Sequence, residues 1–337
     1  MKQTTRELLA VGSFVFGALL FLCSKHSESY DLPGIRLIGA LRWGRGNSRE
    51  RQAVSGNAVS MNIVGVVRNG GSALIDTINR IENLSAQLRR FTVTIATNDN
   101  TDGTDQVLSD YAGQSRHVDI MRLDGLASEL PNRVDRITAA RNAALKKIED
   151  QDRDLELTLV LDMDGPNTCL DAQAVLAAAQ RVAPLWEGVF ANPKPAYDDI
   201  YALRCPGWCD EDVWQRIQST RRPLFGRRKW RRSVMKSAVF DRQFHIPADT
   251  PLIPVDSAFG GAGLYKSRAL RGLRYSCRDE KGQQVCEHVM LHKHLRDRGA
   301  RLFIDPALTT LAAEDRLGEG SGAPFPRHLL PAASGAA

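Results

Sequence analysis

Residues 155–166 read LELTLVLDMDGP. From Leu155 to Asp162 the run is apolar almost throughout, which is the pattern of a strand covered on both faces rather than of one with a solvated side. Such a strand needs helices above and below it, so this stretch predicts an α/β sheet. Gly165-Pro166 then turns the chain and leaves Asp162 and Asp164, one residue apart, at the carboxyl end of the strand.

The preceding residues repeat the same unit. MNIVGVVR at 61–68 is a β-branched run that stops at Asn69-Gly70-Gly71, and residues 72–88 then carry Leu74, Ile75, Ile78, Ile81 and Leu84 at helical spacing. A second strand, FTVTIAT at 91–97, ends in NDNTDGT, where Thr104 or Asp105 is expected to cap a helix bearing Val107, Leu108 and Tyr111. VDIMRL at 118–123 gives a third strand. After a Pro-Asn break, Val134, Ile137, Ala140, Ala144, Leu145 and Ile148 mark one helix face. Strand and helix alternating in this way specify a mostly parallel, Rossmann-like sheet flanked by helices, and ligands of such sheets gather at the carboxyl ends of the strands.

Three polar clusters fall at such ends: Arg68-Asn69, Asn98-Asp99 and Asp162-Met163-Asp164. Paired carboxylates suit Mn²⁺ or Mg²⁺, with phosphate oxygens and water completing the shell. The plainer reading is a strand-end turn in which one Asp caps backbone groups.

From about residue 60 to 310 the chain resembles the nucleotide-sugar glycosyltransferases of GT-A fold, family 2-like, on several motifs. NDNTDGT is similar to the family's acidic turn, with Asp99 as the acid that accepts a hydrogen bond from the nucleobase. Ala140-Arg141-Asn142 matches the family's Ala-Arg-Asn helix, and Asp162-Met163-Asp164 its metal-binding Asp-x-Asp. Gly260-Gly261-Ala262-Gly263 resembles the acceptor segment, and Cys286-Glu287-His288 stands where an acidic motif often supplies the general base. Asn98 replaces a usual Asp, and Glu287 is followed by His rather than preceded by an acid pair. YDDIYALRCPGW at 197–208 and EHVMLHKHLRDRG at 287–299 are also similar to capsule-associated fungal mannosyltransferases, which implies a mannose donor.

The residues support that chemistry on their own terms. A diphosphate leaving group gathers negative charge, which a cation at Asp162 and Asp164 and the guanidiniums of Arg141 and Arg68 would stabilise. Glu287 is the candidate to take the acceptor's hydroxyl proton. Gly260 and Gly261, lacking Cβ atoms, admit close approach of a ligand, and Asp256 is placed to orient an acceptor hydroxyl. Tyr197, Trp208 and Trp214 are candidates for sugar stacking, although core packing is commoner for such rings. His288 and His292, four apart, share a helix face as metal ligands can, but such histidines are more often polar residues on the surface. LVLDMDG also begins like the nucleophile motif of haloacid-dehalogenase-like phosphatases, in which Asp162 would attack phosphorus and a later acidic pair would be needed. Asp198-Asp199 is the one Asp-Asp pair available for that.

The ends read differently. Residues 1–24 contain LLAVGSFVFGALLFLC without a charge, a membrane anchor or signal segment; 25–58 are a basic linker or stem; 59–312 are the catalytic domain; 313–337, rich in Gly, Pro, Ala and Ser, are a flexible tail. Arg and Lys after the apolar run favour a cytoplasmic body, whereas a stem-type anchor would place it in the lumen. The chain of 337 residues has a formal net charge of +6. RRPLFGRRKWRR at 221–232 alone carries +7, so the rest sums to −1 and the protein is not diffusely basic. That patch suits a membrane surface or a lipid-linked acceptor in a membrane-associated chain, with a nucleic-acid arm or a plain solvated loop as alternatives. The reading as a whole implies a nucleotide-sugar donor, a saccharide or lipid-linked acceptor and no nucleic acid. Six cysteines are too few for a disulfide scaffold; Cys205 and Cys209 form a disulfide or remain buried thiols rather than a metal site.

Overall fold

Strands β1 (Ser60–Val67), β2 (Arg90–Thr97) and β4 (Leu157–Asp162) fill the middle of an eight-stranded sheet with their apolar side chains. The computed structural model describes residues 59–330 apart from 152 and 183. The expected anchor at 1–24 and linker at 25–58 lie outside the described residues, among which no helix is long and apolar enough to cross a membrane.

Helix α1 (Gly71–Ser85) follows β1 and sinks Leu74, Ile78, Ile81 and Leu84 completely into the core. Each such burial is worth roughly 1.5–3 kcal/mol. Helix α2 (Thr104–Gln114) follows β2, but neither Thr104 nor Asp105 caps it. Instead Asp102 Oδ1 accepts from the Thr104 amide at 3.0 Å, Thr104 Oγ1 accepts from the Gly70 amide at 2.8 Å, and Asp105 pairs with Arg122. Strand β3 (Val118–Arg122) leads to helix α3 (Arg133–Asp150), capped as its Pro-Asn break suggests by Asn132 Oδ1 accepting from the Val134 amide at 2.9 Å.

Beyond β4 come α4 (Ala172–Gln180), β5 (Gly188–Lys194), α5 (Val213–Ser219) and α6 (Arg227–Ala238). Then follow β6 (Phe244–His245), β7 (Ile253–Val255), β8 (Ala262–Lys266), α7 (Glu287–Asp297), β9 (Leu302–Leu311) and β10 (Ala323–Pro324). The strand order is β3-β2-β1-β4-β8-β5-β9-β7. The β3-β2-β1-β4 half is parallel, as expected, and β5 pairs parallel with β9. β8 runs antiparallel between β4 and β5, and β7 antiparallel to β9, so the second half of the sheet is mixed.

This topology fixes where a ligand goes. From β1 the chain winds outward to β2 and β3, then returns to place β4 on the other side of β1, so the crevice beyond the carboxyl ends of β1 and β4 is a topological switch point. Val67 pairs with Thr97 and Val66 with Asp162, so Arg68 and Asn98 leave their strands side by side and Asp162 ends β4 two residues short of that level.

The expected tail is shorter than 313–337. Residues 313–330 fold back: β10 pairs with β6, Phe325 packs 5.0 Å from the Trp208 ring, and Gln243 Nε2 donates to the Arg316 carbonyl at 2.9 Å. Their Gly and Pro content serves tight turns rather than disorder, and 331–337 lie outside the described residues.

Candidate active site

The loops after β1 and β2 are joined by side chains. Asn69 Oδ1 accepts from the Thr101 amide at 2.8 Å, Asn100 Oδ1 accepts from the Asn69 amide at 2.8 Å, and Arg68 Nε donates to the Asp99 carbonyl at 3.2 Å. Among the described residues, Asn69 (φ +54°) and Asp99 (φ +46°) are the non-glycine residues held in the left-handed region, where Asn and Asp are tolerated best. Asp99 is occupied by the protein itself: its carboxylate accepts from Asn98 Nδ2 at 2.8 Å and from the Gly125 and Ala127 amides at 2.7 and 2.8 Å. Those bonds, Asn98's first, hold its carboxyl below the usual Asp range. It thus shapes the loop after β3, and Arg68 stays exposed at the rim.

At the end of β4, Asp162 meets Arg141 of α3, whose Nη2 donates to Asp162 Oδ1 at 2.8 Å while its Nε donates to Glu287 Oε1 at 3.1 Å. Arg141 and Glu287 are both under a tenth exposed. Burial by itself would lower the guanidinium's pKa, but Asp162 and Glu287 outweigh it and raise the value further, so the charge is secure. Its plane lies over Phe259, 4.9 Å from the ring centroid, and Nη1 is buried without a partner. Sequence reasoning directs Arg141 at diphosphate; the structure directs two of its nitrogens at the chain's own carboxylates. Glu287 opens α7 inside the core rather than capping a surface helix.

Asp164 lies on the open side of the turn. It is solvent-accessible yet closely surrounded, as a side chain lining a concave floor is. Burial first and the Asp162 carboxylate second push its pKa up. Two further acids join them: Asp198, whose buried carboxyl is pushed up to about 7, and Asp199, also raised by burial, both feeling the charge of Asp162. Arg316, from the refolded tail, is the cation balancing this group: burial would lower its pKa, but Asp198, Asp162, Asp199 and Asp164 together raise it. Sequence patterning gave no signal for Arg316, since nothing local marks a lone Arg in a Gly-rich tail.

The donor set fits a divalent cation in part. Asp162 and Asp164 offer hard oxygens and their mutual repulsion favours a cation between them. Among the described residues no group of three or more His, Cys, Asp or Glu side chains converges as a complete protein cage. An ion here would therefore take its remaining ligands from phosphate oxygens and water, as Mg²⁺ ordinarily does.

Gly260 and Gly261 approach the chain rather than open space. With φ of +64° and +86°, a Cβ on Gly260 would fall 2.5 Å from the Ala191 carbonyl oxygen, and one on Gly261 would fall 2.5 Å from Pro166 Cβ. Asn167, fully buried and not singled out in the sequence, ties the two motifs together: its Nδ2 donates to the carbonyls of Asp162 and Gly261, each at 2.8 Å. The Asp162 amide also donates to the Gly261 carbonyl at 2.9 Å, and Asp199 Oδ2 accepts from the Gly260 amide at 3.0 Å. The glycine segment and the Asp-x-Asp turn thus form one unit.

Other candidates separate from the site. Asp256 pairs with Arg296 at 3.0 Å, both half-exposed. Tyr197 and Trp208 are core rings 5.3 Å apart, and Trp214 packs on Tyr201 at 5.0 Å. His288 and His292 are not surface residues: both are buried, and His292 is bridged at 2.8 Å to Ser257 Oγ and at 2.8 Å to Tyr265 Oη, which occupies both of its ring nitrogens. Burial pushes His292 down to about 3 and His288 well below its ordinary value, so both are neutral. Cys205 and Cys209 are buried free thiols. A concavity of about 280 Å³ lined by Asn62, Glu149, Asp154 and Thr158 sits at the amino ends of β1 and β4, away from this acidic floor.

No family model matches the chain, and no curated protein matches its sequence. Among solved structures it is similar to the mannosyltransferase PcManGT from Pyrobaculum calidifontis in complex with GDP-Man and Mn²⁺ (TM-score 0.43, 13% identity, 77% of this chain and 58% of that one). It is also similar to S. aureus TarS 1-349 (TM-score 0.43, 11% identity, 75% and 59%) and to that protein in complex with UDP-GlcNAc (TM-score 0.40, 12% identity, 77% and 60%). The chain spans about three-fifths of the length of these structures.

Proposed function

We propose that this chain is a glycosyltransferase that moves a sugar from a nucleotide-sugar donor, UDP- or GDP-linked, to a saccharide or lipid-linked hydroxyl with the help of Mn²⁺ or Mg²⁺. The observation that carries the reading is Arg141, which holds Asp162 of the Asp-x-Asp turn and Glu287 through one guanidinium at a topological switch point. Asp162 and Asp164 would hold the divalent ion. When bound, that ion stabilises the negative charge of the departing diphosphate.

The chain's own residues do the rest. Arg141 is a positioning residue that fixes both carboxylates. Asp99, by ordering the loop after β3, shapes the base subsite, and Arg68 at the rim is the cation available to donor phosphate. Gly260 and Gly261, locked to the turn by Asn167, set the depth of the acceptor side. Glu287 accepts the acceptor's proton. A mannose donor follows from the resemblance of 197–208 and 287–299, and association with the membrane, body toward the cytoplasm, from the apolar run and the basic residues after it.

One observation favours a competitor. Asp198 and Asp199 do reach the floor that Asp162 occupies, supplying the acidic pair a phosphatase needs. Against it, Asp162 Oδ1 is taken by Arg141 and Asp199 by the Gly260 amide, so the would-be nucleophile is pinned. Donor hydrolysis over UDP- and GDP-sugars, set against a phosphomonoester, separates the two.

A further inference from the structure

The basic stretch 221–232 resolves into a loop and the first half of α6. Val234 and Ala238 bury the inner stripe of that helix, and Trp230, one turn before Val234, leans on the same side with its indole nitrogen enclosed. Arg228, Lys229 and Arg232 fall on the opposite side and are exposed. Before the helix, Leu224 and Phe225 stand 85% and 88% exposed, the one adjacent pair among the exposed large apolar residues described. Gly226, at φ +73°, turns the chain between that pair and the helix. No salt bridge joins Arg221, Arg222, Arg227, Arg228, Lys229 or Arg232 to a carboxylate, and the segment contains no acid.

An exposed Leu-Phe pair flanked in the sequence by unpaired cations combines two chemistries in one short segment. Apolar side chains at a headgroup boundary and guanidiniums on lipid phosphates are what an interfacial element presents to an anionic bilayer. Nucleic acid asks for something else: aromatic faces on which bases stack. Of the two aromatic residues in the segment, Trp230 is turned onto the protein, which leaves Phe225 as the single exposed ring, and its neighbour Leu224 has no π face on which a second base could stack.

We propose that residues 221–232 form a docking surface for anionic phospholipid, with Leu224 and Phe225 entering the interface and Arg228, Lys229 and Arg232 held on phosphate. This surface is additional to the apolar run at the start of the chain and independent of the transferase chemistry.

Hydrogen exchange of the full chain tests it locally, bound to neutral phosphatidylcholine vesicles or to vesicles with about 30% phosphatidylglycerol, so that any anchoring by the first residues is common to both. Amides of 221–232 slow by about fivefold or more on the anionic vesicles only, and the protection fades at about 500 mM NaCl. Leu224→Asp/Phe225→Asp and Arg228→Glu/Arg232→Glu each remove it, while donor turnover in detergent stays unchanged in both variants. Equal exchange on the two vesicles overturns the proposal. So does protection by single- or double-stranded DNA at about 150 mM NaCl with none on anionic vesicles, which would make the patch a nucleic-acid surface.

Discussion

Arg141 and Glu287, 146 residues apart in the sequence, are joined inside the protein by an Nε···Oε1 contact of 3.1 Å, with Asp162 on the same guanidinium. Two carboxylates that share one buried guanidinium are held in fixed relation, and on the proposed function one of them is the base and the other lies on the metal side. Glu287→Gln keeps an oxygen for Arg141 and removes the proton acceptor. It is expected to lower kcat by about 10²- to 10⁴-fold, with the donor KM nearly unchanged. Steady-state kinetics beside urea unfolding decide the role: a stability loss with turnover retained would leave Glu287 a structural partner only.

The surroundings of Asp164, burial first and the Asp162 carboxylate second, raise its pKa and so disfavour its ionised form. A folded-state pKa above the unfolded value means the native state binds the extra proton, so the ionised carboxylate detracts from stability at neutral pH. Asp164→Asn therefore melts at the same temperature or slightly higher. Its divalent-dependent donor turnover falls by at least about 100-fold. Lower stability together with full activity would contradict both halves.

Gly260 combines a left-handed backbone with a blocked Cβ position, 2.5 Å from the Ala191 oxygen, whereas Gly282, at φ +75°, has nothing within 4 Å. Gly260→Ala is expected to cost about 2–4 kcal/mol, backbone strain and overpacking together, and Gly282→Ala only about 1–2 kcal/mol from the backbone alone. Denaturant unfolding of the two variants measures the difference.

His292 gives the pH dependence a sign. Its folded pKa of about 3 lies below the ordinary value, so on acidification the unfolded chain takes a proton that the folded one refuses, and stability is lost as pH falls from about 6.5 toward 3. Asp198, pushed up to about 7, acts in the opposite sense between about pH 4 and 7, so the wild-type curve is a difference of the two. His292→Gln isolates one contribution: its deficit relative to wild type narrows by about 1.4 kcal/mol between about pH 7.5 and pH 5.5. A constant deficit would show that the imidazole titrates freely.

The parallel half of the sheet is legible because each βα unit carries its own local signals: an apolar run, an Asn-Gly or Pro-Asn break, a helical stripe. The clusters at the strand ends are legible for the same reason. β8 is not, since AGLYK at 262–266 has the composition of any short strand and its direction is set by the tight turn at Gly260-Gly261 and by pairing on both sides. Nor is the fate of Arg141, because a partner 146 residues away leaves no periodic trace. The burial of His288 and His292 follows from α7 facing Phe259 and Tyr265, and Arg316 enters the acidic floor only because residues 313–330 fold back through β10.

The most direct measurement is donor hydrolysis by the purified full chain over UDP- and GDP-sugars, with Mn²⁺, Mg²⁺ or chelator, alongside a generic phosphomonoester. Release of UDP or GDP is expected to require the divalent ion and to disappear in Asp164→Asn, with the phosphomonoester untouched. Cleavage of the phosphomonoester alone would contradict that expectation and assign the Asp162 site to phosphate hydrolysis.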